Sequence, residues 1–254
     1  RQKVVDHILG IVHRGANVQA GNVLRELSAA YEYAIGLGRL PMDFANPALL
    51  AKAGLRQAKV KLTSQRGKRA LSDNELKKLL RWLPGSMYTD TQKNVIRFAL
   101  WTGCRTGEVC AAEWEAIDLE KSTFHIRESK TGAERYVQLP RQAVCFLKIL
   151  RLNSDKYLFP SIKTKLPIQQ KQLTEQAWRM RTKNRMLDIE SWTPHDLRRT
   201  MATRLGDDDI GADPIVVEKI LNHQLQGMQK VYNMQEYMEK RRDALESWAE
   251  KVAL

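Results

Sequence analysis

Several side chains are of the kinds that act on phosphate esters, and they stand at spacings that let them cooperate. Arg105 sits in a turn flanked by Gly103 and Gly107, where a backbone can approach a ligand closely. His195 and Arg198 are three residues apart at an expected helix start, so they share a face and can meet one phosphate. His223 falls in a break between helices, and Tyr232 follows nine residues later. Cutting a phosphodiester without a metal needs fixed cations aimed at the equatorial oxygens, a nucleophile, and an acid for the leaving oxygen. Arginine suits the clamp because its planar fork binds phosphate bidentately and keeps its proton.

These residues need helices to hold them. Val18, Val23, Leu24, Leu27, Tyr31, Ala34 and Ile35 recur at three- and four-residue spacing and predict an amphipathic helix over 17–35, stopped by Gly36 and Gly38. Residues 56–70 carry Arg56, Lys59, Lys61, Arg66, Lys68 and Arg69 with no acidic residue and little periodicity, which reads as a linker. Ser72 with Glu75 forms a capping box for a helix carrying Leu76, Leu79, Leu80 and Leu83. An apolar helix over 94–101 leads into the turn 102–107, and a second helix is expected over 108–115. Phe124 and Ile126, then Val137 and Leu139, alternate with polar neighbours around the turn 130–133 and predict a β-hairpin. Further helices are expected over 143–150, 173–186 and 197–205, and Ala244, Leu245, Trp248 and Val252 give one more at the tail. The expected fold is mainly α with a small antiparallel β-sheet.

Composition narrows the partners. At 254 residues the chain fits one to two domains. Its net charge of +13 points to an anionic partner, and 43% hydrophobic with 28% charged residues places that charge on folded surfaces. No apolar run approaches the ~18 residues needed to cross a bilayer, and no signal-peptide pattern is visible. A cytosolic protein is expected. Because the chain starts at Arg1 and not at Met, a fragment or a processed form is expected too. Cys104, Cys110 and Cys145 form no CxxC pair and have no His at ligand spacing, so buried free thiols are expected, with neither a disulfide framework nor a metal site.

Taken in order, the pieces resemble the catalytic pattern of the tyrosine site-specific recombinases, the phage and genomic-island integrase family. Thr102-Gly103-Cys104-Arg105-Thr106-Gly107-Glu108 resembles the family's first arginine box, Pro194-His195-Asp196-Leu197-Arg198 its H-x-L-R box, and Leu221-Asn222-His223 its L-G-H box with Asn222 in place of glycine. Asn tolerates left-handed backbone nearly as well as Gly. The resemblance implies that Arg105, Arg198 and His223 bind the scissile phosphate, that Glu108 holds Arg105, that Lys130 in the hairpin turn is the general acid, and that His195 is the base for Tyr232. Tyr232 would then form a 3′-phosphotyrosyl link without ATP, metal or other cofactor. Tyr237 is the competing nucleophile, disfavoured by spacing.

The resemblance further implies the end of a helical core-binding domain over 1–55, a basic linker over 56–70 whose six cations track phosphates, and a catalytic domain over 71–254. The tail helix, about 239–254, docks between subunits in the family, although the stripe around Trp248 also suits a core. Double-stranded attachment-site DNA, a homotetramer on synapsed DNA, an accessory directionality factor and a bacterial, nucleoid-associated cytoplasmic setting are implied, with no membrane. A type IB topoisomerase and a catalytically idle DNA-binding regulator are the alternatives. Ser72-Asp73-Asn74 and Lys130-Thr131-Gly132 also reproduce two boxes of the β-lactamase signature, but no S-x-x-K stands upstream of Ser72.

Overall fold

The computed structural model describes residues 1–63, 69–127, 134–153, 156–222 and 237–252. The chain divides into two compact units, Arg1–Lys68 and Arg69–Leu254. In the first, α1 (Gln2–His13), α2 (Asn17–Gly36) and α3 (Pro47–Gln57) pack around Ile8, Ile11, Ala20, Leu24, Ala48, Ala51 and Leu55. Asn46 starts α3 by accepting from the N–H groups of Ala48 and Leu49 at 3.0 and 3.3 Å, with Pro47 in the first turn, where its missing N–H costs nothing. After α3 the chain runs back along α2. Asn17 Nδ2 donates to the carbonyl of Lys61 at 2.9 Å, and a Cβ added to Gly21 would lie 2.2 Å from the carbonyl oxygen of Leu62.

Residues 56–70 therefore do several jobs. Arg56 and Gln57 finish α3, and Val60 and Leu62 pack against the small core, while Arg56, Lys59 and Lys61 face solvent. Arg69 belongs to the second unit. Its guanidinium is held by Glu75 and Glu190, each at 2.7 Å, and donates to the Glu190 carbonyl at 2.9 Å. Arg66 and Lys68 lie outside the described residues.

The second unit is mainly helical with a small antiparallel sheet. Its α4 (Asp73–Trp82) carries the expected Ser72–Glu75 capping box, and α5 (Asp90–Thr102) starts four residues before the apolar run because Thr89 and Gln92 form another. The helix expected over 108–115 is instead α6 (Thr106–Cys110) followed by a 3₁₀ turn, Trp114–Ala116. The interruption is tertiary: Glu113 bridges to Tyr157, and the Trp114 N–H donates to the Lys156 carbonyl at 2.9 Å. Strands β1 (Ile117–Asp118), β2 (Thr123–Ile126) and β3 (Arg135–Gln138) pair in that order, all antiparallel, with Phe124 opposite Val137 and Ile126 opposite Arg135.

Helices α7 (Arg141–Leu150), α8 (Gln170–Thr182), α9 (Pro194–Leu205), α10 (Pro214–Ile220) and α11 (Met238–Lys251) complete it. The core joins α5, the sheet and α11: Phe98 meets Phe124 and Phe159 with ring centres 6.0 and 5.7 Å apart, and Trp248 is fully buried with its indole N–H donating to the Leu100 carbonyl at 2.7 Å. The tail helix packs into its own unit, where Glu246 also accepts from the Arg141 N–H at the start of α7. Among the described residues, no helix is long and apolar enough to cross a membrane.

Candidate active site

The first site element is the turn that ends α5. Gly103 stops the helix in a left-handed conformation, φ +62, and a Cβ there would lie 2.0 Å from Cε of buried Met201 on α9. This tight seat brings α9 against the turn. Arg198, 4% exposed, then reaches back across the interface, donating from Nη1 to the Gly103 carbonyl and from Nη2 to the Leu221 carbonyl at the end of α10. Burial lowers the Arg198 pKa to about 10, with Arg105 and Arg135 adding to the effect, so the guanidinium remains charged at neutral pH. One side chain thus ties together the first, second and third boxes.

Arg105 opens α6. Glu108, in its first turn, accepts from the Arg105 backbone N–H through Oε2 and from Arg105 Nη1 through Oε1, both at 2.9 Å. A glutamate there also suits the helix dipole. The carboxylate is nearly buried, whereas the Arg105 side chain is a quarter exposed. Among the described residues its Nε and Nη2 have no hydrogen-bond partner, which leaves them for a ligand.

His195, solvent-accessible at the start of α9, has its pKa lowered by partial desolvation, then by Arg199, Arg198 and Arg105, against the opposing pull of Asp196. A neutral imidazole at neutral pH is the result, the form that can accept a proton. Asp196 caps α9 through the N–H and hydroxyl of Thr193 at 2.9 and 2.7 Å and pairs with Arg199 at 2.8 Å, so both are held locally. Asn222 adopts φ +50, the left-handed conformation that a glycine would also take. Lys130, His223 and Tyr232 lie outside the described residues. Tyr237 caps the start of α11 and packs against the core. Among the described residues, no group of three or more His, Cys, Asp or Glu side chains could hold a metal ion.

One residue at the site escaped the sequence motifs. Arg135 on β3 donates from Nη2 to Glu108 Oε2 at 2.7 Å, so one carboxylate serves two arginines. The signal was present in the alternation: counting back by two from the inward-facing Leu139 and Val137 puts Arg135 on the buried face, an unusual place for a lone charge.

The chain is similar to known proteins in sequence and in fold. The chain is 32% identical over 151 residues to the shufflon-specific DNA recombinase of Escherichia coli, covering 58% of this chain and 35% of that protein. It is 26% identical over 166 residues to the tyrosine recombinase XerA of Pyrococcus furiosus, covering 65% and 56%. The chain thus spans only about a third to just over half of these relatives' lengths. Its fold is similar to that of a lambda integrase fragment, residues 75–356, in a dimer bound to a COC′ core site, with a TM-score of 0.63 and 19% identity over 93% of this chain and 80% of that one. A lambda integrase tetramer bound to a Holliday junction gives a TM-score of 0.65 at 17% identity, covering 89% and 65%. The sequence profile of the phage integrase family matches residues 69–239, two-thirds of the chain and the whole stretch from Arg69 through the arginine and histidine boxes, and the chain belongs to that family.

Proposed function

We propose that this chain cuts and rejoins duplex DNA as a site-specific recombinase, through a covalent 3′-phosphotyrosine. The observation that carries the reading is the convergence of Arg105, Arg198 and a neutral His195 from α6 and α9 around the turn at Gly103. In the proposed step, the Tyr232 phenol oxygen bonds to phosphorus as the bond to the 5′-oxygen breaks. His195 takes the phenolic proton, Lys130 supplies one to the leaving oxygen, and Arg105, Arg198 and His223 hold the charge on the equatorial oxygens. A 5′-hydroxyl from a second strand reverses the step, so the bond energy is kept and no cofactor takes part.

Recombination of two duplexes requires several copies, and a homotetramer on synapsed attachment sites is the assembly proposed; the fold likeness to a lambda integrase tetramer on a Holliday junction supports it. The domain plan is proposed as before, with 1–55 the end of a core-binding domain and the cations Arg56, Lys59 and Lys61 on phosphates. A directionality factor and a bacterial cytoplasmic, nucleoid-associated setting complete the proposal. The test is to incubate the chain with nicked duplexes of randomised core sequence, recover detergent-resistant complexes and sequence the attached strand. Protein joined to a 3′-phosphate on a restricted set of sequences is the expected result. No linkage across the pool would leave a DNA-binding regulator, and relaxation of supercoiled plasmid without joining of two duplexes would make the chain a type IB topoisomerase.

A further inference from the structure

Arg135 has no place in the three boxes, yet it is 8% exposed and sits among them. The pairing of β2 with β3 fixes its direction. It lies opposite Ile126 and shares the inward face with Val137, while the intervening Tyr136 is outward and stacks on His125 with ring centres 4.4 Å apart. Its Nη2 reaches Glu108 Oε2 at 2.7 Å and Cys104 Sγ at 3.9 Å. Its Nε and Nη1 are buried and have no partner among the described residues. A guanidinium buried with two open nitrogens is a poor device for holding a sheet together. An apolar side chain of similar volume would fill the space without the cost of desolvation.

What Arg135 does change is Glu108. The carboxylate receives three donors, with Oε2 taking the Arg105 N–H and Arg135 Nη2 and Oε1 taking Arg105 Nη1. Pinned at Oε2 from the strand side, the carboxylate cannot turn, so Oε1 stays on Arg105 Nη1. The arrangement also leaves charge over. Arg105 and Arg135 both act electrostatically on Arg198, and among the described residues Glu108 is the carboxylate that pairs with Arg105 and Arg135, so these four side chains carry an excess of two positive charges. An anion with the charge and oxygen geometry of a phosphodiester balances such a cluster.

We propose that Arg135 is a positioning residue of the phosphate clamp: it locks Glu108 in the orientation that aims Arg105, and its own charge raises the excess of the cluster from one positive charge to two. The inference rests on the reading of Arg105 as a phosphate ligand given under Proposed function. Two measurements on the full chain test it, with Arg135→Met removing the charge and Arg135→Lys keeping it. The first follows the Arg105 Nε–H resonance, assigned through Arg105→Lys, during titration with inorganic phosphate. It should move with phosphate in the unsubstituted protein, shift and respond about tenfold more weakly in Arg135→Met, and recover partly in Arg135→Lys. An identical resonance and response in Arg135→Met would overturn the proposal.

The second measures covalent capture on the nicked, randomised duplexes. The rate at saturating DNA should fall about 100-fold in Arg135→Met with the half-saturating concentration nearly unchanged, and Arg135→Lys should recover much of it. Unchanged rates, or a loss confined to DNA affinity, would contradict the proposal. Failure of the unsubstituted chain to form any adduct would count against the recombinase reading, and the Arg105 resonance would still decide the role of Arg135.

Discussion

Arg198 donates to the carbonyl oxygen of Gly103, 95 residues earlier in the chain, and that bond sets the second arginine box against the first. The carbonyl is available because Gly103 turns left-handed directly over Met201. Gly103→Ala would have both a positive φ and a Cβ inside the Met201 side chain. It is expected to destabilise the second unit by more than ~1 kcal/mol, read as a lower midpoint in urea. Gly103→Ala with Met201→Ala should not regain full stability, because removing the clash leaves the backbone strain; full recovery would show that the φ costs nothing.

Glu108 is held by two arginines and is nearly buried. Glu108→Gln keeps the shape but removes the charge, and should lower the rate of covalent adduct formation by about 100-fold while DNA affinity changes little. Measurement at saturating DNA separates the two. A loss of affinity alone would mean that Glu108 serves binding and not the orientation of Arg105.

His195 has a sign that can be checked. Partial desolvation and the neighbouring Arg199, Arg198 and Arg105 lower its pKa, so it stays neutral to lower pH than an ordinary histidine, whose value is about 6.5. If it accepts the phenolic proton, the rate of adduct formation should hold as pH falls through about 6.5 and drop only below it. Arg199→Ala removes one repelling charge and frees Asp196, both of which raise the pKa, so the acidic limb should move to higher pH. A limb that moves the other way would remove His195 from the role of base.

The basic stretch divides into two kinds of cation. Arg56, Lys59 and Lys61 are exposed, and replacing all three with Ala should make the slope of log affinity against log salt shallower by about three if each meets a phosphate. Arg69 is spent on Glu75 and Glu190, so Arg69→Ala should leave that slope unchanged and cost about 1–3 kcal/mol of stability. Equal effects on the slope would place Arg69 on DNA after all.

Much of this was legible in the sequence wherever the signal is local. The Ser72–Glu75 box, the alternation of Phe124 and Ile126 with Val137, and the i, i+3 placement of His195 and Arg198 are set by neighbours within a few residues. What escaped depends on distant partners. The helix after Glu108 breaks because the chain near Tyr157 pairs with Glu113, whereas the apolar stripe around Trp248 already suited the core in which it is buried. Arg135 was missed because a charged residue in a strand reads as outward unless its register is followed through.

The tail follows from the same packing. Trp248→Ala should cost about 3–5 kcal/mol in unfolding of the second unit, as for a core aromatic. A helix that only lies on a neighbouring subunit would give a change near zero in the isolated chain.

The covalent link is proposed at Tyr232, with Tyr237 as the nearest rival. Tyr237 begins α11 with φ +51 and packs against the core, which suits a structural role. The direct measurement is detergent-resistant adduct formation on the nicked duplexes by Tyr232→Phe and Tyr237→Phe. Loss in Tyr232→Phe with retention in Tyr237→Phe is the expected result, and an adduct that survives Tyr232→Phe and disappears in Tyr237→Phe would contradict the account.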